Sequence, residues 1–325
     1  AVQPITVTDG AGPVAGAAIS LVLDDQNLAS GSTPAGPDFA ANSISFTAGS
    51  DAIASIVFAT DLALLGGGLS WTRLSDTQIV GKDGAATIVT LDLSVAGSVA
   101  TVTATLNGNY DSHPGLNADD LAALGSVGVV ATDSDGTTAI GTVNVAVSDD
   151  VPDAVDDAGL AVAEDAAGTI GGNLLTNDTQ GADGATLTHV QLPGSGAMVA
   201  LTTGVLVGGA YQFTTALGVY NFQANGAWSF DPAPGQANAA GISAGFSYRI
   251  TDGDGDTDTA VQPITVTDGA GPVAGAAISL VLDDQNLASG STPAGPDFAA
   301  NSISFTAGSD AIASIVFATD LALLG

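Results

Sequence analysis

VVATDSDGTTAIGTVNVAVSDDVP, residues 129–152, and YRITDGDGDTDTAVQPITVTDGAGP, residues 248–272, follow one plan: strand, aspartate-rich turn, strand, acidic exit, proline. Apolar residues alternating on either side of a Gly/Asp turn mark a β-hairpin with one buried face. Two hairpins of one design imply two consecutive β-domains that close in the same way. The expected boundaries are 13–150 for the first and 151–268 for the second.

Outward from these hairpins, Ala1–Gly66 returns letter for letter as Ala260–Gly325, so the chain is slightly more than one period of a 259-residue tandem repeat. Such a period exceeds the roughly 20–50 residues of a solenoid coil and suits whole domains strung in series. Residues 1–12 then read as the last strand of a preceding second-type domain. Residues 269–325 read as an incomplete copy of the first-type domain, lacking everything that corresponds to Gly67 onward. Both ends fall inside a unit and are expected not to be natural termini.

The fold class is all-β. Alternating or β-branched runs at Ile19–Leu23, Ser43–Thr47, Ile53–Ala59, Thr87–Val95 and Val99–Leu106 are separated by Gly, Asp, Asn and Pro. Leu116–Leu124 departs from the pattern: Asn117 there predicts a cap for one or two helical turns through Asp119 and Asp120. Asn225-Gly226, between Val219–Phe222 and Trp228–Phe230, predicts a type I′ hairpin turn with two positive φ angles. Tyr220, Phe222, Trp228 and Phe230 then share one sheet face, as core or, in the alternative, as a sugar-binding platform.

Acidic residues number 34 against 3 basic ones, a formal charge of −31, and Glu164 is the sole glutamate. Aspartate favours turns, caps and oxygen-rich metal sites over helix surfaces. With 46% hydrophobic residues and a mean hydropathy of +0.39, the chain has the apolar surface that disordered sequences lack. Aromatics are only 5%, so the cores are thin and need help. Cysteine is absent, which excludes disulfides and thiolate metal sites. The charge excludes nucleic acid as a partner, and neither a membrane span nor a signal peptide is expected. His113 and His189 lie in different expected domains, and no nucleophile is paired with a base, so no enzyme is expected.

Asp252, Asp254, Asp256 and Asp258 stand at every second position, and Gly253 and Gly255 allow the backbone to curl their oxygens around a point. A hard divalent cation with six to eight oxygen ligands, calcium above all, is the natural occupant; the alternative is a solvated turn. Position 6 is Thr257 and position 12 is Pro263, so the segment is not an EF-hand. Asp133 and Asp135 form the weaker counterpart in the first domain. Asp149, Asp150, Asp153, Asp156 and Asp157 surround Pro152, where a shared ion would clamp neighbouring domains and a soluble linker is the other reading. The second junction, Asp268-Gly-Ala-Gly-Pro, is glycine-rich and expected to be more flexible unless Asp24-Asp25 folds back to join it.

LVLDDQNL (21–28), WTRLSDTQIVGKD (71–83) and the SDDVP exit (148–152) resemble the repeat modules of giant type I-secreted RTX adhesins. NLLTNDT (173–179), the NG hairpin and FSYRITDGDGD (246–256) are similar to bacterial cadherin-like and VCBS-type repeats. The resemblance implies serial Ig-like or cadherin-like β-sandwiches in an extended array, the extender that projects an adhesive tip from a Gram-negative outer membrane. It implies an extracellular setting, passage through the secretion channel unfolded, and calcium within and between domains. It places calcium at Asp252, Asp254 and Asp256, and also at Asp178 and Asp183, where NDTQGADG departs from the ND-x-D-x-D-G pattern. The expected partners are calcium, neighbouring repeats and other copies of the fibre. Two further readings are a matrix or surface-layer fibre built by strand exchange and a carbohydrate-binding module.

Overall fold

The computed structural model describes residues 3–319 except 7, 9, 36, 37, 111–114, 118, 119, 237–239, 294 and 296; His113, Asp119 and Asp9 lie outside the described residues. The first unit contains β1 (Val14–Ala15), β2 (Ile19–Asp24), β3 (Phe39–Thr47), β4 (Ile53–Phe58), β5 (Ser70–Ser75), β6 (Gln78–Asp83), β7 (Ala86–Ala96), β8 (Val99–Leu106), β9 (Leu121–Asp133) and β10 (Thr138–Ser148). They form a six-stranded sheet, β1-β3-β8-β7-β6-β5, and a four-stranded sheet, β2-β10-β9-β4. Leu21, Leu23, Ile44, Phe58, Leu91 and Val147 are buried in one core.

The second unit contains β11 (Leu160–Ala163), β12 (Ile170–Asn173), β13 (Thr186–Gln191), β14 (Val199–Ala200), β15 (Val205–Val207), β16 (Ala210–Thr215), β17 (Gly218–Phe222), β18 (Ala227–Pro232), β19 (Ile242–Ser243), β20 (Phe246–Thr251), β21 (Thr257–Gln262) and β22 (Ile264–Thr267). Its sheets run β11-β22-β19, β12-β18-β17-β16-β15 and β14-β13-β20-β21. Pro263 separates β21 from β22; lacking an N–H, it ends one ladder and starts another, so a single stretch of chain serves two sheets. This all-β arrangement of packed sheets is the expected fold class.

The aromatic face of β17 and β18 forms as predicted and is core. Tyr220, Phe222 and Phe230 are fully buried, Trp228 nearly so, and Phe246 meets Phe222 and Trp228 edge-on at 4.9 and 5.2 Å. The turn itself differs from expectation. Among the described residues only Asn117 has positive φ outside glycine, so Asn225 does not; Gly226 alone adopts it, at 83°. Gly226 N–H donates to Gln223 O (3.0 Å) and Gln223 N–H to Ala227 O (2.8 Å), which makes a four-residue loop ending in a left-handed glycine. Asn173 explains the choice, because its Nδ2 donates to Asn225 O across the loop.

The helical turns expected at 116–124 are absent from the described residues. Leu121 starts β9, whose pairing with both β10 and β4 outweighs local capping propensity, and Asn117 has φ 56°. The strand expected within 1–12 is likewise missing from its described residues, and Ile5 is 90% exposed. The same letters at 264–267 form β22 because β11 lies beside them. Among the described residues of 273–319 only β23 (Val273–Ala274) and β24 (Phe305–Thr306) pair.

Candidate metal centre

The two closing hairpins share their turn chemistry. Asp133 Oδ1 accepts from Gly136 N–H (3.1 Å) and Thr137 N–H (2.7 Å); Asp252 Oδ1 accepts from Gly255 N–H (3.1 Å) and Asp256 N–H (2.7 Å). Gly136 and Gly255 take φ of 100° and 112°, which a side chain would strain. What differs is the company each turn keeps. Asp135 sits in the first turn with Asp133, whose carboxyl is raised by its hydrogen bond with Asp135 and by burial.

The Asp252 turn meets the end of the first unit. Carboxylate oxygens of Asp149, Asp254 and Asp256 lie within 4.8 Å of one another, as do those of Asp183, Asp252 and Asp254, so Asp254 belongs to both groups. Asp256 is fully buried; its Oδ1 accepts from Asn117 N–H (2.6 Å), and its Oδ2 has no hydrogen-bond partner. Asn117 Oδ1 in turn accepts from Thr257 N–H (2.6 Å), which ties the two units together. Asp254 Oδ1 is also without a partner, while Asp183 Oδ2 accepts from Asp254 N–H (3.0 Å).

Charge is concentrated here without compensation. Burial, then the adjoining Asp256 carboxyl and the charge of Asp254, push Asp149 up to about 8. Burial, then Asp183 and Asp254, push Asp252 up to about 7. Asp25, a residue the sequence did not single out as a ligand, is buried beside them and raised to about 8, first by burial and next by Asp150, Asp24 and Asp183. Asp150 Oδ2 accepts from Ser32 N–H (2.8 Å), closing the first unit's loop onto the joint. Among the described residues the ion pair formed is Arg73–Asp76, away from this joint. Hard oxygen donors, a wholly buried carboxylate oxygen without a partner and the lack of a protein cation among the described residues together fit a divalent ion.

The remaining predicted ligands sit elsewhere. Asp156, Asp178 and Asp258 accept backbone N–H groups from Val261, Val155 and Ala154, each at 2.8 Å, and so pin the linker to the second unit. Tyr248 OH donates to Asp178 (3.1 Å), and burial, offset in part by Tyr248, pushes Asp157 up to about 6.

The glycine-rich junction, although mostly exposed, is tethered: Asp165 Oδ2 accepts from Ala270 N–H (3.0 Å) and Ala270 O from Ser309 N–H (2.8 Å). Glu164, Asp268 and Asp310 bring oxygens within 4.8 Å of one another; Glu164 is buried with Oε1 unpartnered, and its Oε2 accepts from Gln236 N–H. A side chain on Gly269 would collide with Asp165 and Ser309, so glycine there permits close approach. Asp25 folds back, but to the proline junction. Glu164 carried a sequence signal as the sole glutamate; its partners are joined only by the fold.

Residues 149–267 match the family model described as a bacterial Ig domain, so the unit they span is a bacterial Ig-like module. No curated protein matches the chain. Solved structures with some likeness include Sidekick-1 immunoglobulin domains 1–5 (12% identity, TM-score 0.27, covering 83% of this chain and 42% of that one). Others are protocadherin gamma B7 cadherin domains 1–4 (12%, TM-score 0.29, 86% and 57%) and Drosophila N-cadherin EC1–3 (11%, TM-score 0.25, 79% and 68%). The chain thus spans about half the length of the first of these. No helix among the described residues is long and apolar enough to cross a membrane.

Proposed function

We propose that this chain belongs to the extender of a bacterial cell-surface adhesin of the type I-secreted RTX kind, and that its joints take up calcium to fix the angle between units. Asp256 carries the reading: it is wholly buried, bonded to Asn117 across the joint, and has one oxygen unpartnered beside Asp149. Two carboxylates 4 Å apart repel by about 1 kcal/mol in water and roughly 4 kcal/mol at an effective dielectric of 20. A bound divalent cation supplies the positive charge that the described residues of the joint lack. Asp149, Asp252, Asp254, Asp256 and Asp183 supply oxygens from both units, and Asn117 orients Asp256 toward them. Glu164, Asp268 and Asp310 give the other junction the same chemistry, so both joints of the period are clamped.

Extracellular calcium modules work at roughly 10⁻⁴ to 10⁻³ M, a range the cytosol does not reach, so the joints close outside the cell. A chain without cysteine forms no cross-link that would obstruct its export. Small-angle scattering during a calcium titration tests this. The maximum dimension is expected to settle at a constant value with calcium, and Asp256→Asn to raise the calcium required by roughly tenfold or more. Scattering and melting that are identical in calcium and in chelator would sink the reading.

A further inference from the structure

We infer that β15 is a docking edge for a second copy of this chain, joining two copies side by side through one continuous sheet. Val205, Leu206 and Val207 are 67, 64 and 48% exposed, and elsewhere among the described residues of 13–268 the large exposed apolar side chains stand singly. The run Leu280–Leu282 is exposed as well, but its counterparts Leu21 and Leu23 are buried in the first copy, so missing partners account for it. β15 lies in an intact unit, and its exposure has another cause.

Its backbone is open too. β15 ends the order β12-β18-β17-β16-β15, and Gly208 and Gly209, with φ of 59° and 89°, close a two-residue hairpin onto β16. The closing pair Val207↔Ala210 exchanges backbone bonds, as does Val205↔Gln212, which turns the N–H and C=O of Leu206 outward. Other edges are occupied: Val261 of β21 bonds Asp156 and Asp157, and Phe58 of β4 bonds Asp76 and Arg73. Among the described residues, no hydrogen bond beyond the ladder to β16 reaches 205–207. Nor does β15 carry the charge, proline or bulge that ordinarily keeps an edge single.

Charge selects the occupant. The chain carries −31 overall, which repels a like chain, yet residues 184–230 contain no Asp, Glu, Lys or Arg. Asp231 is the one charged residue on the strands of this sheet. It stands on β18, three strands or about 14 Å from β15, beyond the screening length of about 8 Å at physiological salt. A second copy can approach here without meeting an acidic face, and a cationic partner finds nothing to hold. Two β15 edges complement each other about a two-fold axis: Leu206 pairs with Leu206, and Val205 with Val207, in antiparallel register. Three residues make a weak contact, which the tandem repeat multiplies by supplying one such edge per period. The pairing needs no calcium and goes beyond the joint reading.

Sedimentation of the whole chain from micromolar to millimolar concentration tests this. A monomer–dimer equilibrium is expected, in calcium and in chelator alike. Leu206→Pro deletes the outward N–H while leaving the ladder to β16 whole, and should weaken the dimer roughly tenfold or more with melting unchanged. The chain has no cysteine, so a single introduced thiol reports its own neighbourhood. Leu206→Cys places two thiols on residues whose Cα atoms face each other at about 5.5 Å across the axis, within disulfide reach. It should cross-link roughly tenfold faster than Val281→Cys, which sits in the other exposed run. If Leu206→Pro alters melting, the thiol comparison decides. A monomer at every concentration, a dimer indifferent to Leu206→Pro in a chain of unchanged melting, or cross-linking at 281 as fast as at 206 overturns the inference. Scattering without a calcium response beside a dimer that Leu206→Pro dissolves would refute the joint reading alone.

Discussion

Residues 14–58 and 273–317 are the same sequence in two environments, and they end in two different states. Leu21 and Phe58 are each 1% exposed; their counterparts Leu280 and Phe317 are 58% and 99% exposed. What both copies keep is local. Gly16 N–H to Ser45 O (2.8 Å) recurs as Gly275 N–H to Ser304 O (2.7 Å), Ser50 N–H to Ala11 O (2.8 Å) as Ser309 N–H to Ala270 O (2.8 Å), and the 3-10 turn at Asp25–Asn27 as that at Asp284–Asn286. What the second copy lacks is every strand that needs β8, β9 or β10. The segment encodes its turns and borrows its strands: β2, β3 and β4 exist because residues 99–148 lie against them.

Supplying the missing partners should produce the largest change. Appending a copy of Gly67–Asp150 after Gly325 is expected to protect the amides of Leu280, Leu282 and Phe317 from hydrogen exchange and to add a cooperative transition. Continued rapid exchange would break the comparison. Next in size, Phe58→Ala should cost about 3–5 kcal/mol in denaturant unfolding, whereas Phe317→Ala should stay within about 0.5 kcal/mol.

A buried carboxyl sharpens the first copy's side of the contrast. The folded-state pKa of Asp25 stands well above the ordinary 3.8, so the folded chain holds a proton that the unfolded chain has released. In chelator, that contribution to stability is complete below about pH 4 and is lost as pH rises through about 8. Asp25→Asn should therefore flatten the fall in melting temperature over this range and raise it by a few °C above pH 8. Smallest is the contact both copies share. A Cβ at Gly49 would meet Ala11 O at 1.7 Å, and one at Gly308 would meet Ala270 O at 1.6 Å. Gly49→Ala and Gly308→Ala should each expose the hydrogen bond beside them, at a cost of about 1 kcal/mol, read as faster exchange of the Ser50 or Ser309 amide.

The same division explains what could be read in advance. Alternation revealed the β2, β3, β4, β7 and β8 segments because a period of two is a local property. The turn at Asn225-Gly226 was visible as a turn, but its type depends on Asn173, far away in sequence. Asn117 looked like a helix cap because its use, orienting Asp256, lies in another unit. The Asp252 cluster was legible from spacing; the aspartates around Pro152 were legible only as a separate junction set, and the meeting of Asp149 with Asp254 and Asp256 is a product of the fold. Asp25 was legible only as a candidate for the glycine-rich junction; the β2–β10 pairing carries it to Asp150 and Asp183 instead. Glu164 stood out by its rarity, yet its convergence with Asp268 and Asp310 is a product of the fold.

Pro263 carries a last consequence. Upstream of it the chain is stitched to β20, downstream to β11 and β19, so one covalent thread passes through two layers of the second unit. Like the spine of a bound book, it keeps the covers from drifting apart sideways, and Tyr220, Phe246 and Ile264 stay dry between them without any cross-link.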